Sequence, residues 1–178
     1  MSDAGSRSAP GALTCFLVRH GAAAPGADDR ERPLTAGGAR EVAMVAQALA
    51  RRRVAVEEIR HSGLRRARET AEILADALRP AGGVCAVTGL APDDDPAVAA
   101  AELALAAGPV MLVGHLPHLD RLLATLVGPA AAGIQFSPGT VVGAVREGAS
   151  WRVGLRLVPA GGGAAGTSRG EGAEGAPV

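Results

Sequence analysis

Hydrophobic and polar positions divide the chain into two kinds of segment. Short, almost continuous apolar runs occupy residues 14–18 and 109–113, and runs of this length are typical of strands buried in a parallel sheet. Longer segments between them have apolar residues three and four positions apart, which is the spacing of a helix that packs one face. This alternation predicts an α/β fold, a three-layer α/β/α sandwich with a mostly parallel central sheet.

Four helices and four further strands complete the prediction. The helices begin after Thr35, after Ser62-Gly63, at Asp95-Pro96 and at Pro117, and Pro80 lies just past the end of the second. The further strands lie at residues 57–61, 84–87, 140–145 and 151–158. The apolar positions that define the helices are, in chain order, Val42, Val45, Ala46 and Leu49; Ala67, Ala71, Leu74 and Leu78; Val98, Ala101 and Leu105; and Leu119, Leu122, Leu123 and Leu126.

The length of 178 residues suits one domain with a substantial core. Aromatic residues are only 2% of the chain, so that core is expected to consist of Leu, Val and Ala. Residues 1–11 are expected to form a disordered leader, residues 12–159 the domain, and residues 160–178 a disordered Gly/Ala-rich tail.

The charge balance excludes some classes of partner. Lys+Arg and Asp+Glu are both 18, which argues against nucleic acid and against an anionic membrane surface. No apolar segment reaches the ~20 residues of a membrane span. Cys15 and Cys85 have no metal-type spacing and are expected to be buried free thiols in a reducing cytoplasm. The sequence leaves the oligomeric state open.

Polar groups follow three of the predicted strands. Arg19 and His20 end the first strand, Ser62 ends the second with Arg66 on the next helix, and His115 ends the third. If these strands are parallel neighbours, the three groups meet in one crevice at the carboxyl edge of the sheet. Arginine forks and helix N-termini suit phosphate. One histidine can attack phosphorus while the other stabilises the transferring group, so no metal or other cofactor is expected.

Four blocks of sequence carry a family resemblance. Residues 17–21 (Leu-Val-Arg-His-Gly) resemble the signature of the histidine phosphatase superfamily, whose fold is phosphoglycerate-mutase-like. Residues 32–35 with Gly38 and Glu41, residues 62–72 and residues 113–117 are similar to further blocks of that family in the same order. The short length of the chain and the sequence Gly-His-Leu-Pro at residues 114–117 are most similar to the SixA-type phosphohistidine phosphatases.

The resemblance implies a role for each matched residue. His20 would be the nucleophile that becomes phosphorylated, and Arg19, Arg66 and His115 would bind the phosphoryl oxygens. Arg66 fits the family's spacing better than Arg65 or Arg68, because it precedes Ala67 and is followed by Thr70. Gly21 would let the backbone turn or approach a ligand closely. Ser62 would contribute a hydroxyl to the site or cap the helix that follows.

The chain departs from the family at the general acid. Mutase-like relatives have a glutamate after the block that corresponds to residues 62–72, where this chain has Gly89-Leu90-Ala91-Pro92. The carboxylates that could replace it are Asp28, Asp29, Glu31, Asp93, Asp94 and Asp95, although solvated loop or helix-cap roles are more usual for such residues. An imidazole leaves more readily than an alkoxide, so a phosphohistidine substrate tolerates the missing acid.

These points predict a metal-independent phosphatase that acts through a phosphohistidine enzyme intermediate. Its expected substrate is phosphohistidine on a protein such as a phosphotransfer domain. Two alternatives stay open: a small-molecule phosphomonoesterase on the same fold, and a catalytically silent module that recognises phosphate.

The other two histidines are expected to lie outside this chemistry. His61 precedes Ser62 on a strand and is expected to be structural. His118 is three residues from His115 and could suggest a metal pair. Pro117 and the strand-to-helix turn between the two make a shared face doubtful, and no third ligand lies at a suitable spacing.

Overall fold

The computed structural model describes residues 14–160. The predicted leader (1–11) and all but the first residue of the predicted tail (160–178) lie outside the described residues. The described part contains the strands β1 Thr14–Arg19, β2 Glu58–His61, β3 Val84–Ala86, β4 Val110–Gly114, β5 Val141–Glu147 and β6 Ser150–Leu157, and the helices α1 Ala36–Arg51, α2 Arg65–Leu78, α3 Pro96–Leu105 and α4 His118–Val127. Two short 3-10 turns cover Asp29–Glu31 and Gly128–Ala131.

The six strands form one sheet in the order β3-β2-β4-β1-β5-β6. The first four are parallel neighbours, and β5 and β6 add two antiparallel pairings at one side. In the register between β1 and β4, Arg19 lies opposite Gly114. The residues that follow these two positions, His20 and His115, therefore leave the sheet side by side. The predicted mostly parallel sheet is confirmed.

Helices cover both faces of the sheet, because alternate strand residues point to opposite sides. Phe16, Val18 and Ile59 pack against α1 and α2 on one face. Cys15 and Leu17 pack against α3 and α4 on the other. The buried residues are mainly Leu, Val and Ala, as the composition requires. The expectation of a three-layer sandwich is confirmed.

The helix starts agree with the sequence, but the predicted inward face of α3 is wrong. Thr35 accepts a hydrogen bond from the Gly38 N–H at the start of α1, and Asp95 caps α3. On α3, Ala99 and Leu103 are buried, whereas Val98 is 47% and Leu105 87% exposed. This helix is apolar almost all round, so its periodicity does not identify the packed face.

Both cysteines are free, as predicted. Cys15 is buried in β1, whereas Cys85 is only half-buried on β3, which corrects the expectation for that residue. Two strands separate β3 from β1, so the thiols lie roughly 14 Å apart, too far for a disulfide. The Cys85 thiol instead donates to Glu58 Oε1 at 2.9 Å. None of the helices within residues 14–160 is long and apolar enough to cross a bilayer.

Candidate active site

Two histidine rings meet at the carboxyl edge of the parallel strands. His20 follows β1 and His115 follows β4, and their ring centroids are 4.8 Å apart with the planes tilted by 48°. The backbone N–H of His20 donates to the Gly114 carbonyl at 3.2 Å, and this hydrogen bond links the two strand ends. The sheet register thus brings together two side chains that are 95 residues apart in the sequence.

His20 has the tautomer and charge of a nucleophile. Its Nδ1 lies 2.7 Å from the Gly21 carbonyl oxygen. A carbonyl only accepts hydrogen bonds, so Nδ1 carries the proton and Nε2 keeps its lone pair. Burial, together with the smaller effects of the nearby Arg66, Arg19 and Arg32, lowers the pKa of His20 to about 4 against the opposing effect of the Gly21 carbonyl. The ring is therefore neutral at pH 7.

Gly21 allows α1 to pack closely against the end of β1. A Cβ at this position would lie 2.8 Å from Val42 Cγ2. The Gly21 N–H donates to Thr70 Oγ1 at 3.1 Å, and the Thr70 hydroxyl donates to the Arg66 carbonyl at 2.7 Å. Close packing against Val42 explains why residue 21 is a glycine. Thr70, which the sequence marked only by its spacing, links β1 to the arginine helix.

Arg66 is the arginine of α2 that lies at the site. It is 5% exposed, and it lowers the pKa of both His20 and His115. Its Nη1 donates to the Asp29 carbonyl at 2.6 Å and its Nη2 to Asp29 Oδ2 at 3.1 Å. Arg65 and Arg68 are more exposed and pair with Glu69 and Glu72 on the surface of α2. The two alternatives to Arg66 therefore lie away from the histidines.

His115 is held by Ser62. Its Nε2 lies 2.6 Å from Ser62 Oγ, while its buried Nδ1 has no hydrogen-bond partner among the described residues. Burial, with smaller effects from the nearby His20 and Arg66, lowers the pKa of His115 to about 3. Ser62 does not cap α2, whose N-cap is Leu64 without a side-chain bond. Of the two expectations for Ser62, the structure favours a hydroxyl at the site.

Arg19 forms one edge of the site. Its Nη1 donates to the Phe136 carbonyl at 2.7 Å, and its Nε is buried without a partner within the described part of the chain. Burial lowers the pKa of Arg19 and nearby Asp120 opposes the shift. A guanidinium stays protonated under such conditions. It therefore supplies a positive charge that acts on His20, and its Nε is an unused donor.

Of the six carboxylates considered from the sequence, Asp29 contacts a predicted site residue. Hydrogen bonds from Arg32 and Arg66 lower its pKa, so Asp29 is anionic at neutral pH. Asp28 accepts from the Arg30 N–H, Asp94 from the Ala91 N–H and Asp95 from the Ala97 N–H. Glu31 and Asp93 are exposed. Asp29 lies 37 residues before Arg66, with α1 and β2 between them, so periodicity gave no sign of this pair.

The other two histidines are not part of the pair, but His118 is close enough to His115 to lower its pKa. His61 is 5% exposed, and its Nδ1 accepts the Gly63 N–H at 3.1 Å. His118 is buried at the start of α4, and neither ring nitrogen has a partner within residues 14–160. The same residues contain no group of three His, Cys, Asp or Glu side chains placed to hold a metal ion.

Known proteins share this sequence pattern and this fold. Residues 15–85 match the histidine phosphatase superfamily (branch 1). The chain is 32% identical over 119 residues to the phosphohistidine phosphatase SixA of Escherichia coli (strain K12), a match that covers 64% of this chain and 74% of that protein. The solved structure of the protein histidine phosphatase SixA with tungstate is 28% identical, with a TM-score of 0.76 over 83% of this chain and 97% of that one.

A more distant structure shares the fold. A mycobacterial glucosyl-3-phosphoglycerate phosphatase is 17% identical, with a TM-score of 0.59 over 80% of this chain and 97% of that one. At this identity the likeness supports the architecture alone, which is the phosphoglycerate-mutase-like sandwich. The closer relatives support a hydrolase of the phosphatase type. On the sequence match and the shared fold together, this chain belongs to the histidine phosphatase superfamily.

Proposed function

We propose that this protein is a metal-independent phosphatase that removes the phosphoryl group from phosphohistidine on a protein, through a phosphorylated His20. The observation that carries the proposal is the state of His20. Its Nδ1 is anchored on the Gly21 carbonyl, its Nε2 keeps the lone pair, and its ring is neutral because burial lowers its pKa to about 4. A catalytically silent module would have no need of such a nucleophile.

In the first step, His20 Nε2 attacks phosphorus. The bond from Nε2 to phosphorus forms as the bond from phosphorus to the substrate nitrogen breaks, and the electron pair leaves with the substrate. Arg19 and Arg66 neutralise the charge on the phosphoryl oxygens, with His115 beside them. The guanidinium groups of Arg19 and Arg66 supply the positive charge that a divalent ion supplies in metal-dependent phosphoryl-transfer enzymes. In the second step, the oxygen of water bonds to phosphorus as the bond from phosphorus to His20 Nε2 breaks. The electron pair returns to Nε2, and inorganic phosphate and a proton are released.

The charge of Asp29 determines which leaving groups suit the site. A general acid must hold a proton at the working pH, and Asp29 has a lowered pKa because Arg32 and Arg66 donate to it. The alkoxide of a sugar phosphate departs poorly without a proton donor. An imidazole departs more readily. The site therefore favours phosphohistidine over alkyl phosphates.

The protein nature of the substrate is supported by the relatives. Two of them are named as phosphohistidine or protein histidine phosphatases. A phosphotransfer domain is a substrate of this class. We also propose a cytoplasmic location, in which the free Cys15 and Cys85 would remain reduced.

The substrate class is tested by comparing kcat/KM for a phosphohistidine protein with a panel of sugar phosphates, in the presence of a chelator. The phosphohistidine protein should be preferred, and chelation should leave its turnover unchanged. Asp29→Asn should alter that turnover by less than about 5-fold, because the bond from Arg66 Nη1 to the backbone carbonyl of residue 29 remains and the lost carboxylate is 63% exposed. If a sugar phosphate is preferred and Asp29→Asn removes its hydrolysis, the protein is a small-molecule phosphomonoesterase.

The pH dependence follows from the lowered pKa of His20. We expect kcat/KM to stay level from pH 7 to about pH 5, because the nucleophile protonates only near pH 4. The measurement uses p-nitrophenyl phosphate with the titration of the substrate subtracted. An acid limb near pH 6.5 that survives this correction would contradict a buried, neutral His20.

The same shift has a consequence for stability. The unfolded state binds protons at an ordinary histidine pKa of about 6.5, and the folded state binds them only at lower pH. The free energy of unfolding should therefore fall as the pH drops from 6.5 toward 4. Circular dichroism at each pH separates this loss of folded protein from the titration of the nucleophile.

A further inference from the structure

A cavity of about 360 Å³ is lined by two chain neighbours of the histidine pair. We call it the Arg19 cavity, because Arg19 directly precedes His20, and Leu116, which also lines the cavity, directly follows His115. Apart from Arg19, Leu116 and Asp120, its walls come from residues 134–138, which are Ile134, Gln135, Phe136, Ser137 and Pro138. Each histidine of the pair is bonded along the chain to a residue that lines the cavity, so the cavity is close enough to receive the group attached to phosphorus.

The walls of the Arg19 cavity suit a planar heterocycle. Leu116, Ile134 and Pro138 supply apolar surface, against which a ring can pack. Arg19 is held by the Phe136 carbonyl through Nη1 and has its buried Nε unpaired in the described residues. This unpaired donor points to a ligand acceptor that completes the site.

One carboxylate lines the Arg19 cavity. Asp120 lies in the first turn of α4, five residues after His115, and is close enough to Arg19 to act on its charge. No basic side chain within residues 14–160 pairs with Asp120 at 4.0 Å or less. Its side chain is exposed. A carboxylate in this position is free to accept a hydrogen bond from a bound molecule.

We propose that the Arg19 cavity binds the imidazole ring of the substrate phosphohistidine and that Asp120 accepts a hydrogen bond from its unphosphorylated ring nitrogen. This inference rests on the proposed function and deepens it. With a proton on that nitrogen the phosphorylated ring is cationic. When the bond from phosphorus to nitrogen breaks, its electron pair stays on the departing nitrogen and the product is neutral imidazole. The proton comes from solvent before or during binding, and Asp120 holds it in place.

This role distinguishes two kinds of substrate. A phosphohistidine ring offers an N–H to Asp120, whereas an aryl phosphate offers no donor at the equivalent position. Asp120 would therefore contribute to one reaction and much less to the other. Asp120 holds the proton on the substrate ring, a role that Asp29 does not have.

The test measures kcat/KM against pH for Asp120→Asn with a phosphohistidine peptide and with p-nitrophenyl phosphate. For the peptide we expect a loss of roughly 10–100-fold, the range for a hydrogen bond to a charged group. The loss should grow with pH, because the variant then relies on substrate that is already protonated in solution. The aryl phosphate should lose much less. Asp120→Glu keeps a carboxylate and should recover part of the peptide activity at high pH.

Asp76→Asn is the matched control, because it removes one exposed carboxylate from α2 about 15 Å along the helix from Arg66. It should match the wild type on both substrates. Equal losses on peptide and aryl phosphate in Asp120→Asn, or an unchanged pH profile, would overturn the role of Asp120 and leave the proposed function intact. A wild type that hydrolyses the aryl phosphate but not the peptide would overturn both.

Discussion

Replacing His20 with alanine is expected to abolish turnover of every phosphorylated substrate. Among the described residues, His20 Nε2 is the only nitrogen at the strand ends that belongs to a neutral ring and keeps an accessible lone pair. The variant loses this nitrogen. His115 cannot substitute, because its Nε2 is engaged by Ser62 and its ring is 2% exposed. Removal of a nucleophile from a catalytic unit lowers kcat by roughly 10⁴-fold or more. Steady-state hydrolysis of p-nitrophenyl phosphate and of a phosphohistidine protein measures the loss.

His61→Asn is the control for this substitution. His61 is also a buried histidine near the sheet edge, and an asparagine oxygen can still accept the Gly63 N–H that its Nδ1 now accepts. Its activity should remain within a few-fold of the wild type, although its melting temperature will be lower. Residual turnover of more than a few per cent in His20→Ala, on protein shown to be folded, would mean that another group attacks phosphorus.

Replacing Arg66 with methionine is expected to reduce kcat by roughly 10²–10³-fold, the loss typical when one fixed donor to a transition-state oxygen is removed. Methionine keeps much of the buried volume and removes the fork. Arg66→Lys should recover only part of the activity, since a lysine supplies the charge without the planar pair of donors. The comparison of kcat with KM for both variants shows whether the fork acts in the transition state.

Arg68→Met is the matched control for Arg66. It lies two residues away on the same helix, 51% exposed, with its Nε 3.9 Å from Glu72. Such surface pairs contribute about 0–1 kcal/mol to stability, and the side chain does not contact either histidine of the pair. Comparable losses in Arg66→Met and Arg68→Met would contradict the assignment of Arg66 as the arginine of α2 that acts at the site.

Much of the fold followed from the sequence because its signals are local. Thr35 and Asp95 cap their helices, and the apolar run at residues 109–113 is the buried strand β4, with bounds shifted by one residue. The meeting of His20 and His115 also followed, since parallel strands end at one edge and each histidine comes directly after its strand. These inferences need only periodicity, capping and strand direction.

The parts that the sequence did not reveal depend on tertiary contacts. The inward face of α3 was assigned incorrectly, because alanine and leucine surround that helix and only the neighbouring α4 decides which side is buried. The bond from Arg66 to Asp29 joins α2 to a short 3-10 turn 37 residues earlier in the chain. The hydroxyl of Ser62 has two usual roles at the start of a helix, and only its 2.6 Å distance from His115 Nε2 distinguished them.

The central claim is that the phosphoryl group passes through His20, and rapid trapping of the phosphorylated enzyme tests it most directly. The wild type is mixed with a phosphohistidine protein, denatured within milliseconds under basic conditions, and mapped by mass spectrometry. The account predicts an acid-labile phosphoryl group on the peptide that contains His20, which appears and decays at the rate of turnover. Full turnover with no phosphorylated enzyme, or a phosphoryl group on a different residue, would contradict it.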